Sequence, residues 1–258
     1  MTDSRRTDHP VSKIPELVAT FWIIKIAATT LGETAGDTVT MSMHLGYLAG
    51  TAIFAAALAV LVWRQMSATR FHPFLYWATI IASTTAGTTL ADFADRSLGI
   101  GYVGGSALLL ACVLGTLGLW RRSLGSISVH SIATPKAEAF YWTAITFSQT
   151  LGTAVGDWIA DTTGLGYEAG AIVFAIALLG LVALYYRTKV SRVFLFWAAF
   201  VLTRPLGATV GDLLDKPHAA GGFDFSRPLA SAVLAVFILA CILLLPQRAA
   251  KQPGEVAA

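Results

Sequence analysis

A tryptophan recurs at Trp22, Trp77, Trp142 and Trp197, and every copy brings the same companions at the same distances. Ten residues on stands a glycine (Gly32, Gly87, Gly152, Gly207), and fourteen on a small residue (Gly36, Ala91, Gly156, Gly211). Fifteen residues on stands an aspartate (Asp37, Asp92, Asp157, Asp212). The tryptophans are 55, 65 and 55 residues apart, so the copies group as two pairs, as if a duplicated unit had been duplicated again. A period of this length marks a repeat architecture. The fold must therefore be one that four similar units build together.

Those units are apolar. The chain of 258 residues is 55% hydrophobic and only 13% charged, with a mean hydropathy of +0.66, outside the range of soluble domains. A hydrocarbon core of about 30 Å takes about 20 helical residues. Eight runs meet that length, at 16–38, 45–64, 72–92, 98–120, 138–160, 165–186, 192–213 and 228–246. Barrel strands would show short alternating segments instead, so the spans are predicted to be helices. The polar start, Met1 to Ser12, lacks the apolar core of a signal peptide, and the first span belongs to the repeat, so it is expected to be retained. Cys112 and Cys241 lie inside apolar runs at non-equivalent positions and read as small buried apolar residues rather than a disulfide or metal framework.

Basic residues gather at alternate connections. Arg5, Arg6 and Lys13 precede span one; Arg64 and Arg70 follow span two; Arg121, Arg122 and Lys136 follow span four; Arg187, Lys189 and Arg192 follow span six; Arg248 and Lys251 follow span eight. The other connections carry Asp92, Asp95, Asp157, Asp161, Asp212, Asp215 and Asp224 against Arg96, Lys216 and Arg227. The positive-inside rule then puts both termini in the cytoplasm of a multi-pass membrane protein. The pI reflects this topology and not nucleic-acid binding.

The expected fold is all-α: a polytopic membrane protein with eight transmembrane helices, arranged as four parallel αα-hairpin repeats about a pseudo-symmetry axis along the membrane normal. A polar cytoplasmic N-terminus (1–14) precedes repeats one and two (15–124). A cytoplasmic linker with Gly125 and Pro135 (125–137) marks the seam between halves, followed by repeats three and four (138–248) and a cytoplasmic tail (249–258). The second helix of each unit is plainer and reads as a packing or lipid-facing partner. It opens on Gly46-Tyr47, Gly101-Tyr102 or Gly166-Tyr167 in three copies, with tyrosines suited to the interface, and on an insert, Lys216 to Pro228, in the fourth.

At 100° per residue, offsets +3, +7, +10, +11, +14 and +15 from each Trp share one helix face. Copy one puts Lys25, Thr29, Gly32, Glu33, Gly36 and Asp37 there, and copy two Ile80, Thr84, Gly87, Thr88, Ala91 and Asp92. Copy three supplies Ile145, Gln149, Gly152, Thr153, Gly156 and Asp157, and copy four Phe200, Arg204, Gly207, Ala208, Gly211 and Asp212. Such a polar face must turn inward, since charge facing lipid costs several kcal/mol. The small residues Gly32, Gly36, Gly87, Gly152, Gly156, Gly207 and Gly211 suit close helix packing, which leaves the carboxylates unexplained. A capping role at the helix ends is one alternative for the aspartates; Glu33 lies a turn deeper.

Arg204 stands near mid-span, followed by Pro205, where the other copies hold Thr29, Thr84 and Gln149 as a deeper polar tier. A buried arginine needs a partner, and Glu33 is the nearest by depth, either as a structural pair or as a gate or counter-charge. Lys25 lies shallower and is expected to snorkel toward the cytoplasm. Four quasi-equivalent helices would set Asp37, Asp92, Asp157 and Asp212 in a ring, with Glu33 beneath. Carboxylate rings attract cations, and oxygen-only ligands favour hard ions such as Mg, Ca or Mn. Clustered carboxylates also raise one another's proton affinity, which suits proton coupling.

On the Trp22, Trp77, Trp142 and Trp197 pattern with its Gly and Asp companions, the chain from Pro15 to Arg248 resembles a bacterial membrane-protein family of unknown function built from four tandem two-helix repeats. That resemblance implies the fold and a bacterial origin, and so an inner (plasma) membrane as the expected location, but no reaction. Locally, Glu33-Thr34-Ala35-Gly36-Asp37-Thr38 is similar to the Glu-x-Gly-Asp-Lys/Arg-Thr/Ser signature of Mn and Ca cation/proton exchangers. It departs by one extra residue between Glu and Gly and by the missing basic residue before Thr38.

Three functions compete. The first is a transporter of a small cation, foremost proton-coupled export of a divalent, Mn-like metal bound as substrate by Glu33, Asp37, Asp92, Asp157 and Asp212. The second is a transporter of a small organic or anionic solute using Arg204 and Lys25. The third is a non-transporting scaffold or sensor. Enzyme activity is not expected, and no cofactor is implied: His9, His44, His72, His130 and His218 lie in loops or span ends without metal spacing, and no nucleotide loop or nucleophile–base pair is present. The implied partners are the lipid bilayer and a small cation or solute, with no nucleic acid.

Overall fold

A computed structural model describes residues 12–129, 132 and 134–250. Arg5, Arg6, His9, His130 and Lys251, and with them most of the expected cytoplasmic N-terminus and tail, lie outside the described residues. Among the described residues the chain forms eight α-helices: α1 (Ala19–Asp37), α2 (Gly46–Ser67), α3 (Pro73–Asp92), α4 (Tyr102–Leu124), α5 (Pro135–Asp157), α6 (Gly166–Arg187), α7 (Arg192–Asp215) and α8 (Arg227–Leu244). Every helix falls on an expected span.

The odd helices make the centre. α1 packs on α3, α3 on α5, α5 on α7 and α7 back on α1, a closed ring of four parallel helices. The even helices form an outer layer, and each packs chiefly on the odd helix of the following repeat: α2 on α3, α4 on α5, α6 on α7, and α8 on α1. Each hairpin thus spans two neighbouring positions of the ring. The layers follow from composition. α2, α4, α6 and α8 are apolar all round and present large side chains such as Leu48, Trp63, Leu108, Leu114, Ile176, Leu179, Val233 and Val236 outward. Together with α7 they are long and apolar enough to cross a membrane. α1, α3 and α5 are richer in threonine and are enclosed by their neighbours. Many of their hydroxyls are satisfied locally, as in Thr30 to the Ile26 carbonyl (3.0 Å), Thr79 to Leu75 (2.7 Å) and Thr85 to Ile81 (2.8 Å). Such i−4 bonds let a hydroxyl enter an apolar bundle without a partner from outside the helix.

Glycine sets the ring's register. A Cβ on Gly32 would run into Thr84, on Gly87 into Gln149, on Gly152 into Arg204, and on Gly207 into Thr29. The +10 glycine of each copy therefore receives the +7 side chain of the next copy, four times around the circle. One turn on, Gly36 abuts Thr88, Gly156 abuts Ala208 and Gly211 abuts Glu33, the +14 residue against the next +11. A contact this close excludes any larger side chain and fixes which residues share a level.

At the tryptophan end, Phe21, Tyr76, Tyr141 and Phe196, each one residue before its Trp, close the ring with aromatic contacts. The Tyr76 and Tyr141 hydroxyls meet at 2.7 Å. Trp77 and Trp197 turn their indole N–H groups to Gln247 Oε1 (3.3 Å) and the Ile127 carbonyl (3.0 Å). The chain segments beyond lie over this end. Glu16 N–H donates to Arg248 O (2.9 Å) and Ala250 N–H to Ile14 O (2.8 Å), which joins the two ends of the described chain. Lys13 crosses to Glu138 (2.6 Å).

One expectation needs correction here. Helix α5 already starts at Pro135, with Thr134 as its N-cap accepting from Ala137 N–H, so the linker ends before 135 rather than at 137. Its Val129 and Ile132 are buried in the core against the tryptophan end, and α4 packs on α5 as it would across any other repeat boundary. The segment covers one end of the bundle.

Candidate functional site

At the far end of the ring, α1, α3 and α5 each stop at their aspartate and pass into a five-residue π-helical turn, Thr38–Ser42, Phe93–Ser97 and Trp158–Thr162. The chain then turns through Gly46, Gly101 or Gly166, at φ of 77°, 79° and 74°. That backbone region strains any L side chain, which explains the glycine of each Gly-Tyr pair. In the fourth copy α7 runs on to Asp215, and the insert folds back on it through Phe223 N–H to Leu213 O (2.7 Å), Asp224 N–H to Lys216 O (2.9 Å) and Phe225 N–H to Leu214 O (2.9 Å). The insert thereby pins Lys216.

The four aspartates and Glu33 come together. Glu33, Asp157 and Asp212 each place a carboxylate oxygen within 4.8 Å of the others; so do Glu33, Asp37 and Asp92, and so do Asp37, Asp212 and Asp215. All six are buried. Glu33 belongs to two of the triads and links both sides of the ring. These oxygens are the groups able to hold a hard divalent cation.

Basic residues occupy the same space, and sequence reasoning missed three of them, Arg96, Lys216 and Arg227. Arg96 Nε lies 2.8 Å from Asp92 Oδ1, and its Nη2 3.7 Å from Asp157 Oδ2. Lys216 Nζ lies 2.9 Å from Asp212 Oδ1 and 3.0 Å from Asp37 Oδ2. Both stand nineteen residues after their tryptophan, in copies two and four; copies one and three hold Met41 and Asp161 there. Each cation therefore clamps its own aspartate to that of the next copy, a two-fold pattern laid on the four-fold ring. Burial alone would lower the affinity of Lys216 for its proton. Asp212, Asp37 and Asp215 outweigh that and hold the ammonium well above its ordinary value. Arg227 adds contacts at 3.6 Å to both Asp37 and Asp215.

One tier inward, Arg204 Nη2 donates to Glu33 Oε2 at 2.9 Å and to the hydroxyls of Thr88 and Thr153. Thr88 in turn donates to the Gly32 carbonyl (3.2 Å) and to Glu33 Oε2 (3.3 Å). Arg204 climbs a full turn to reach this level, past Gly152, and Ala208 supplies the small residue where the other copies place Glu33, Thr88 and Thr153. Thr29 turns to the Thr203 carbonyl (3.1 Å), while Thr84 and Gln149 are wholly buried at the same level. Lys25 is wholly buried as well, with Nζ 4.2 Å from the centroid of the Phe200 ring. The expectation that it snorkels is wrong, because the aromatic layer and α7 enclose it. Of the Gly-Tyr tyrosines, Tyr167 (2.9 Å) and Tyr102 (3.3 Å) both donate to Asp161. Cys112 and Cys241 are free thiols, the first only half-buried.

Four parallel two-helix units, an apolar outer layer and a charged axial core define a helical membrane protein of the tandem-repeat kind. The chain belongs to the family described as "Repeat of Unknown Function (DUF347)", which it matches four times, at residues 20–71, 75–125, 140–191 and 195–248. No curated protein and no solved structure matches it.

Proposed function

We propose that this protein is a transporter of a small cation, with proton-coupled export of a divalent, Mn-like metal as its reaction, and that it lies in a bacterial inner membrane with both termini in the cytoplasm. One observation carries the reading: acidic side chains from all four inner helices converge in overlapping triads whose oxygens lie within 4.8 Å. Their charge is only partly balanced. Arg96, Lys216 and Arg204 face Glu33, Asp37, Asp92, Asp157 and Asp212, and Arg227 matches Asp215. Two negative charges remain. Unbalanced charge inside a bilayer is strongly disfavoured, and either one divalent cation or two protons would neutralise it. These are alternative occupants of one site, which is what exchange requires.

The basic residues then act as tethered counter-ions. Lys216 and Arg96 cover the carboxylates from the outer end, with side chains 11% and 34% exposed. Displacing them would open oxygen ligands to an ion, and their return would expel it. On the inner side Arg204 and the Phe21, Tyr76, Tyr141 and Phe196 layer close the path, so this conformation has its barrier toward the cytoplasm. The anionic-solute alternative is less well supported, because the mouth is lined by clustered carboxylates.

The test is flux in proteoliposomes. Wild-type protein should move Mn²⁺ against an imposed pH gradient and acidify or alkalinise the lumen in step, and Glu33→Gln should abolish both. Absence of Mn²⁺, Ca²⁺ and Mg²⁺ flux by well-folded wild-type protein would remove the proposal.

A further inference from the structure

Beneath the carboxylates lies a second polar centre of opposite character. Offsets +3 and +7 hold no acidic residue in any copy: Lys25, Ile80, Ile145 and Phe200 below, Thr29, Thr84, Gln149 and Arg204 above. Several polar atoms at this level are fully enclosed yet have no hydrogen-bond partner among the described residues. They are Lys25 Nζ, Thr84 Oγ1, both amide atoms of Gln149, and Nε and Nη1 of Arg204. They come from α1, α3, α5 and α7, so each inner helix contributes. The glycine contacts fix their height, since Thr84, Gln149 and Arg204 each lie against the +10 glycine of the helix before.

Their chemistry is one-sided. Lys25 Nζ, Arg204 Nε and Nη1 and the Gln149 amide nitrogen are donors only, the Thr84 hydroxyl can donate, and the Gln149 oxygen is the sole obligate acceptor among them. Two cationic side chains meet one carboxylate, Glu33, which is already bonded to Arg204 and Thr88. Lys25 has no carboxylate partner among the described residues and only the face of Phe200 for company. Buried donors and charges left without partners are disfavoured by far more than a ring contact returns. A single acceptor with one negative charge would answer both deficits. A metal ion would answer neither.

We propose that Lys25, Thr84, Gln149 and Arg204 form a binding site for a small monovalent inorganic anion of the chloride class, on the axis below the carboxylate cluster. The bound anion neutralises Lys25 and accepts the idle N–H groups of Arg204, leaving Nη2 free to hold Glu33. The site stands whether or not the protein carries cations, because it uses none of the aspartates.

Thermal unfolding of the purified protein in detergent tests it, with chloride replacing gluconate at constant ionic strength. The melting temperature should rise saturably, by about 3–6 °C at ten times the Kd. Lys25→Met should lose the response, Gln149→Leu should weaken its half-saturation at least about tenfold, and Lys216→Met should keep it. No chloride response in the wild type overturns the proposal. So does a response that survives Lys25→Met, or one lost in Lys216→Met instead, which would assign the anion to the outer cations. Should Lys25→Met fail to fold, an unchanged half-saturation in Gln149→Leu overturns it.

Discussion

Arg204 meets Glu33 across the α7–α1 contact at 2.9 Å, although the two leave their helices one full turn apart. Both are shut off from solvent, so neither charge can fall back on water. Removing one partner strands the other, whereas removing both need not be harmful. Glu33→Gln should cost about 3–5 kcal/mol of stability, and the double variant Glu33→Gln/Arg204→Met should regain most of it. Reversible unfolding in mixed detergent reads the cycle, and additive losses would show that the pair is not coupled.

Close approach of the inner helices rests on glycines that are not interchangeable with others in the chain. A Cβ on Gly152 would strike Arg204, while one on Gly118 of α4 meets nothing within 4 Å. Gly152→Ala should lower stability by about 1–3 kcal/mol. Gly118→Ala should leave it unchanged or raise it by up to about 1 kcal/mol. Equal effects from the two, measured by unfolding under the same conditions, would contradict the proposed register.

Backbone strain offers a test in the connections. Gly101 sits at φ 79°, and His44 holds φ 57° where the later copies have Gly99 and Gly164. Gly101→Ala should destabilise by about 1–2 kcal/mol, and His44→Gly should stabilise by about 1 kcal/mol. Melting temperatures of the two variants should therefore move in opposite directions.

Lys216 competes with any cation for Asp37 and Asp212. A unit charge about 4 Å away in an effective dielectric of about 20 is worth about 4 kcal/mol. Even after screening, Lys216→Met should tighten Mn²⁺ binding at least about tenfold by titration calorimetry. Unchanged or weaker binding would mean that Lys216 serves the folded structure and not ion competition.

The repeat, the eight helices and the inward polar stripe were legible because each is periodic, and periodicity survives without knowledge of neighbours. The meeting of Glu33 with Arg204 followed from depth alone. Arg96 and Lys216 escaped notice since a basic residue just past a helix end looks the same whether it faces water or bends back over a carboxylate. Their shared offset of nineteen residues was the available signal. Lys25 misled for the same reason: its distance from the helix start suggests reach to the surface, while its burial depends on Phe200 and the aromatic layer, which pack only in three dimensions. Nor does any local pattern tell α2 to lie on α3 of the next repeat and not on its own α1. Both surfaces are equally apolar, and the choice belongs to the assembled ring.

That displacement by one place has a consequence for biosynthesis. α1 carries Lys25, Glu33 and Asp37, and the helices that flank it on one side, α7 and α8, come last in order among the eight. On leaving the ribosome, α1 must therefore wait in lipid with a charged flank uncovered while most of the chain is translated. Its residence in the bilayer during that interval is costly. Removal of α8 would strike hardest not at its own position in the sequence but at the anchoring of α1, seven helices earlier.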